Sequence, residues 1–401
     1  MTRHGIDTAT VHGFVAPGFE EVRREFEANF ARRGELGAAC AVFHRGQKVV
    51  DLWGGYRDAN TGAPWEEDTM VIVFSATKGM SALALAVAHS RGLLDYDEQV
   101  ATYWPEFAQN GKQRITVRQL LSHQAGLSAI DEPLDLQALA DLDRLAEILA
   151  RQKPAWEPGT RHGYHAVSLG FYENELLRRV DPRRRSLGRF FSDEIAQPLG
   201  LEFYIGLPPK VPLSRMAALQ FTNPLSRPAY LKMLPTGIAI ALPQLKSLAA
   251  RTWHNPSLAT VGDFTNPGFR NVELPASGGI GPARSIARAY SAFATGGSEL
   301  GIRPATIEAL AAPPVLPTRG CRDLVMGIQV AYSLGVGKPA FGFQFGSSPR
   351  SFGWPGLGGS FGFADPDAQI GYGYVMNKMQ WYFPADPREK ALRDAVYRCL
   401  G

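Results

Sequence analysis

Ser75 and Lys78, in the stretch VFSATKGM at 73–80, stand three residues apart at the head of a long apolar run. Residues at i and i+3 share one face of a helical turn. A serine and a lysine held in that way have the chemistry of a nucleophile and the amine that deprotonates it. The exposed amides at a helix start favour a developing alkoxide. Apolar neighbours such as Phe74 and Met80 would depress the lysine pKa, so that it acts as a base. The same spacing fits a plain helix start, with Ser75 as cap and Lys78 facing water. VFSATKGM holds the one Ser-x-x-Lys of the chain, and spacing alone leaves both readings open.

A rival nucleophile lies at 358–362, where GGSFG matches the G-x-S-x-G elbow of α/β-hydrolases. That elbow needs a helix directly after it and a histidine later in the chain. Here Phe363-Ala364-Asp365-Pro366 leads into a turn, and the last histidine is His254. Ser360 is therefore expected on a glycine-rich strand lining the pocket. His162 and His165 have ligand-like spacing but no third ligand nearby in sequence, so no metal is expected. PASGGIGPARS at 275–285 follows no clear strand of a βαβ unit, which argues against a phosphate or dinucleotide cradle.

Composition narrows the class. The 401 residues are 45% hydrophobic and 20% charged, with a net charge of +4, too small to call for a polyanion. The densest basic run, RRVDPRRRSLGR, lacks interleaved aromatics and reads as a solvated link between helices, not a nucleic-acid site. Three widely spaced cysteines, Cys40, Cys321 and Cys399, argue against a disulfide framework. MTRHGIDTATVHGF has no apolar signal stretch, and SALALAVAH is about half the roughly 20 residues of a membrane span. The expectation is a soluble cytoplasmic protein without a membrane partner.

The elements that must position these residues follow from periodicity. PGFEEVRREFEANFARR has helical spacing, and AACAVFHRGQKVVDLWGGY reads as two strands around Arg45-Gly46-Gln47. The helix after VFSATKGM should end at Arg91-Gly92. From about 106 to 250 the pattern turns helical. ARSIARAYSAFATG at 283–296 reads as another helix, MGIQVAYSLG as a strand, and GSFGFADPDAQIGYGYVMN as a hairpin turning at Asp365-Pro366-Asp367. DPREKALRDAVYRCL closes the chain as an amphipathic helix. The expected fold is α/β (α+β): residues 1–105 and 251–401 supply an antiparallel sheet flanked by terminal helices, and 106–250 a mainly helical insertion. A ligand cleft is expected between the two.

Four stretches taken in order, VFSATKGM, LLSHQAGL, RHGYHAVSLG and GWPGLGGSFGFADP, resemble the serine β-lactamase and penicillin-binding-protein superfamily, in particular the family VIII carboxylesterases. The resemblance runs from about residue 30 to 385. It implies a β-lactamase/transpeptidase-like fold, with Ser75 as acylated nucleophile, Lys78 as its partner amine and Tyr164 as the tyrosine that exchanges protons with nucleophile and leaving group. It implies an oxyanion hole made by the amides of Ser75 and Leu357, a substrate wall of Phe74, Trp354, Gly356 and Ser360, and a helix-end structural role for His123. Gly279 to Gly281 would border the pocket.

Where many relatives carry Lys-Thr-Gly or His-Thr-Gly, this chain has Trp354-Pro355-Gly356. A cation there would pair with a substrate carboxylate, which tryptophan cannot do, so the resemblance implies a small neutral ester as partner and no cofactor. The rival functions are an acyltransferase or transesterase on the same scaffold, a weak β-lactamase or D-amino-peptidase, and a non-catalytic scaffold protein.

Overall fold

In the stretch Gly37–His44, Ala39, Ala41 and Phe43 join one buried cluster, while Ala38, Cys40 and Val42 join another. A period of two with both sets buried belongs to a strand covered on both faces. The computed structural model describes residues 10–222, 235–241, 244, 246–256, 267–382 and 385–401. It places this strand in the middle of a nine-stranded antiparallel sheet. Numbered in chain order, the strands of that sheet are β1 (Val11–Val15), β2 (Gly37–His44), β3 (Gln47–Asp58), β4 (Ala63–Pro64), β5 (Tyr332–Ser333), β6 (Val336–Gly337), β7 (Phe352–Pro355), β8 (Phe361–Asp365) and β9 (Ile370–Met376). They run β1-β3-β2-β9-β8-β7-β6-β5 across the sheet, with β4 beside β3. Both ends of the chain therefore build it.

Helices α1 (Glu20–Arg32) and α5 (Pro387–Leu400) pack on each other over one face. There Val22, Phe26, Leu392 and Val396 meet the Cys40 and Val42 side of β2. Helix α4 (Ala283–Ala294) crosses the other face against β9, β2 and β8. Its close approach depends on the glycines of IGYGYVM. A Cβ on Gly371 would lie 2.3 Å from the Ala287 carbonyl oxygen, and one on Gly373 2.4 Å from that of Ala283. On the same side lies α2 (Ala76–Ser90), buried at every residue except His89, between β7 and helix α3 (Ser168–Val180). No helix of the described residues is long and apolar enough to cross a membrane.

The structure adjusts several sequence expectations. The first hairpin turns on Arg45-Gly46 alone, both at positive φ, because Gln47 already pairs with His44. MGIQVAYSLG holds only the two-residue strand β5. Leu334 and Gly335, with φ of 50° and 84°, then turn the chain straight back into β6. Within PASGGIGPARS, Gly279–Gly281 is itself a strand, paired with Val71–Ile72 and Tyr204–Ile205. The basic run does link two helices, but acids within the fold take up its charge: Arg185 pairs with Asp181, Asp193 and Glu194, and Arg178 with Glu175 and Asp143. Part of the expected helical stretch, 223–234, 242–243 and 245, lies outside the described residues.

Candidate active site

Ser75 precedes the first residue of α2, and its side chain makes no capping hydrogen bond. The residue before it, Phe74, has φ of +47°, a left-handed conformation that non-glycine residues seldom adopt and that concentrates at functional sites. The helix start thus presents the Ser75 hydroxyl without using it. Its partner is Tyr164, whose phenol donates to Ser75 Oγ at 2.7 Å.

Tyr164 is held by its neighbours in sequence. His123, at φ +58° after the capped helix Val117–Leu121, clasps the segment twice: its Nδ1 accepts from the His165 amide at 3.0 Å, and its carbonyl accepts from Gly163 at 3.0 Å. His165 in turn donates from Nδ1 to the Gly163 carbonyl and accepts at Nε2 from Leu127. Burial holds His165 down to about 3 and His123 well below the usual imidazole range, so both rings are neutral at working pH. Burial also pushes the Tyr164 phenol up to about 12, leaving it protonated.

Lys78 lies one turn into α2 and is fully buried. Its amine donates to the carbonyls of Ala166 at 2.6 Å and Ala276 at 2.9 Å and sits 4.8 Å from the centre of the Tyr164 ring. Burial pulls its pKa down to about 7. A neutral amine has two hydrogens and one lone pair. With both hydrogens on carbonyls, the lone pair is left to receive a proton. Among the described residues no hydrogen bond joins the amine to Ser75, whose side-chain partner is Tyr164.

Strand β7 and the residue that follows it bring Trp354 and Gly356 to the same place. A Cβ on Gly356 would lie 2.2 Å from the Val73 carbonyl oxygen and 3.3 Å from the Ala76 amide, so only glycine lets this strand reach the start of α2. Among the described residues, neither the Ser75 nor the Leu357 amide donates a backbone hydrogen bond. Two unspent amides beside a nucleophile are what an oxyanion needs. The turn that carries Leu357 is anchored from behind, where the fully buried Arg388 donates from Nη2 to the Gly358 carbonyl at 2.9 Å. Ser360 lines the cavity with its proton committed to the Val73 carbonyl at 2.9 Å.

The cavity in front of Ser75 has a volume of about 620 Å³ and is bounded by Phe74, Tyr164, Trp253, Trp354 and Leu357. Trp354 is 4% exposed and stacks on Tyr164 (ring centres 5.9 Å, 15°) and Tyr332 (5.3 Å, 21°). It is a packing residue as well as a wall. Among the described lining residues the one lysine or arginine is Lys338, whose ammonium is spent on the carbonyls of Leu310, Ala311 and Arg350. Gly279 to Gly281 do not reach the cavity; Gly279 packs on Phe203 and Thr77, and Ser277 faces the cavity instead.

Several residues here had no signal in the sequence. Tyr332 and Trp253 flank Tyr164, the first from a segment that reads as a strand and the second from just beyond the expected helical stretch of 106–250. Glu173 is buried on α3 within the field of Lys78. Arg388 lies in DPREKALRDAVYRCL, whose amphipathic pattern does not tie it to the site.

Comparison with known proteins identifies the family. The β-lactamase family model matches residues 22–397. The esterase/β-lactamase LipL of Mycobacterium tuberculosis is 34% identical over 370 residues, which cover 92% of this chain and 83% of LipL. A crystal structure of a family VIII carboxylesterase superposes with a TM-score of 0.85 at 38% identity, covering 97% of this chain and 100% of that one. A penicillin-binding protein homolog from Caulobacter crescentus gives a TM-score of 0.83 at 35% identity, with coverage of 97% and 100%.

Proposed function

The chain belongs to the β-lactamase family, and on that premise we propose that Ser75 is the residue acylated by its substrate, served by Tyr164 and Lys78. The protein is a serine hydrolase of carboxylic esters. The observation that carries the site assignment is the 2.7 Å hydrogen bond between Tyr164 and Ser75.

In the proposed reaction Ser75 Oγ bonds to the ester carbonyl carbon as its own proton leaves along the contact with Tyr164. The phenol gives up its own hydrogen as it takes that of Ser75, and the proton comes to rest on Lys78, whose amine lies 4.8 Å from the centre of the Tyr164 ring. The amides of Ser75 and Leu357 receive the oxyanion. When the tetrahedral intermediate collapses, the carbon–alkoxide bond breaks and the proton returns through Tyr164 to the departing alcohol. Water then repeats the sequence on the acyl-enzyme. The lining, with its one lysine already committed, supports a small neutral ester as substrate. On this reading the cleft lies between the chain-end lobe of 1–105 and 251–401, which supplies Ser75 and Trp354, and the 106–250 region, which supplies Tyr164.

Intact mass spectrometry after exposure to a fluorophosphonate tests the assignment. One adduct is expected on the wild type and none on Ser75→Ala. Labelling that persists in Ser75→Ala would overturn it.

A further inference from the structure

Glu173 is a buried acid that the chemistry above does not use. It is fully buried on α3, and neither carboxylate oxygen has a hydrogen-bond partner among the described residues. Its neighbour Glu175, by contrast, pairs with Arg178 and Arg179. Burying an unpartnered carboxyl is unfavourable, and such groups call for an explanation.

Its position supplies one. Helix α3 packs on α2. A Cβ on Gly335 would lie 3.2 Å from Glu173 Oε1 and 2.9 Å from the Ala82 Cβ. Ala82 is one turn beyond Lys78 on α2, so the carboxyl stands on the face of α2 that carries the amine. Burial pushes Glu173 up to about 8, with Lys78 pulling the other way, and Glu173 likewise opposes the burial that lowers Lys78. The other titratable groups in the field of Lys78 are His123, His165 and Tyr164, all neutral at working pH. Glu173 is the one carboxyl in the field of the amine among the described residues, and a proton arriving on Lys78 draws it toward the carboxylate.

We propose that Glu173 is a positioning residue that acts through Lys78, its carboxyl supporting the proton affinity of the buried amine while Ser75 is deprotonated. It touches neither Ser75 nor the substrate cavity, and the proposal rests on the reading of Lys78 as proton acceptor. During acylation the Ser75 O–H bond breaks as the Oγ–carbon bond forms, Lys78 becomes an ammonium, and that proton later leaves with the alcohol. Without a counter-charge the ammonium would be a stronger acid and the amine a weaker base.

The test is the pH profile of kcat/KM for p-nitrophenyl butyrate in the wild type, Glu173→Gln and Glu173→Asp. In Glu173→Gln the acid limb is expected about one pH unit lower and the plateau about tenfold lower, with KM little changed, and Glu173→Asp should recover most of both. An acid limb unmoved in Glu173→Gln overturns the proposal, whatever the plateau. Should Glu173→Gln fail to fold, Glu173→Leu, which buries no polar atom, carries the same test; if neither folds, Glu173 is structural and the proposal fails. Lys78→Ala separates the two readings. Activity that survives in Lys78→Ala removes the role of Lys78 itself, whereas dependence on Lys78 with an unmoved limb removes only that of Glu173.

Discussion

The Tyr164 phenol donates to Ser75 Oγ at 2.7 Å, while the Lys78 amine on the next turn gives its hydrogens to two backbone carbonyls. On the proposed assignment the two groups act in series: the tyrosine touches Ser75, and the lysine lies 4.8 Å from the centre of the tyrosine ring.

That order predicts a large kinetic effect at Tyr164. Tyr164→Phe keeps the stacked ring beside Trp354 and removes only the hydroxyl, so the fold should hold. General acid–base groups contribute about 10²–10⁴-fold, and kcat for a neutral ester should fall by about 10³, with KM within a few-fold. Steady-state kinetics decides it: near-normal turnover in Tyr164→Phe would leave proton transfer to another group.

The depressed pKa of Lys78 predicts the pH response. The amine must be neutral to accept a proton, so kcat/KM should rise with pH through about 7 and then stay level, because Tyr164 ionises only near 12. The same shift carries a stability consequence. The folded pKa lies below the ordinary lysine value of 10.5, so between about 7 and 10.5 the unfolded chain binds the extra proton and this group makes stability rise with pH. The Lys78→Met variant should lose that dependence. Its stability relative to wild type, from urea unfolding, should be most favourable near pH 7 and less so at pH 10. A difference independent of pH would show that the lysine is not buried in its neutral form.

What could be read from the sequence divides along physical lines. Ser75 and Lys78 are joined by helical spacing, and the β2–β3 and β8–β9 hairpins by alternation and turn residues, all local signals. Tyr164 and the Trp354 strand came only through resemblance, because nothing local ties them to Ser75. Arg388 and Glu173 were hidden for another reason. Each sits in a charged helical stretch that reads as a solvent face, and only the tertiary packing of α5 against the sheet, or of α3 against α2, turns it inward.

Substrate charge gives a further prediction. A carboxylate placed beside Trp354 would lose water and find no free lysine or arginine among the described lining residues, since Lys338 is bound to three carbonyls. Leaving a desolvated anion unpaired costs a few kcal/mol. Nitrocefin, an anionic β-lactam, should therefore be turned over with a kcat/KM at least about 100-fold below that of p-nitrophenyl butyrate. Comparable values for the two would mean that a cation elsewhere reaches the substrate.

Arg388 should link stability to the proposed oxyanion hole. Fully buried, it pairs with Glu35 at 2.8 Å and Asp386 at 2.7 Å and bonds the Gly358 carbonyl, the residue after Leu357. Arg388→Met leaves two buried acids without their partner, which typically costs about 3–5 kcal/mol. It also frees the turn whose amide should meet the oxyanion, and loss of one such donor lowers kcat by about 10²-fold or more. Arg185→Met supplies the contrast, because that arginine also sits in a buried acidic network, with Asp181, Asp193 and Glu194, but touches no part of the site. Urea unfolding should show both variants destabilised. Turnover per folded molecule, measured at a temperature where each remains folded, should fall only in Arg388→Met. Equal turnover in the two would reduce Arg388 to a structural ion pair and leave the Leu357 turn held by its own backbone bonds.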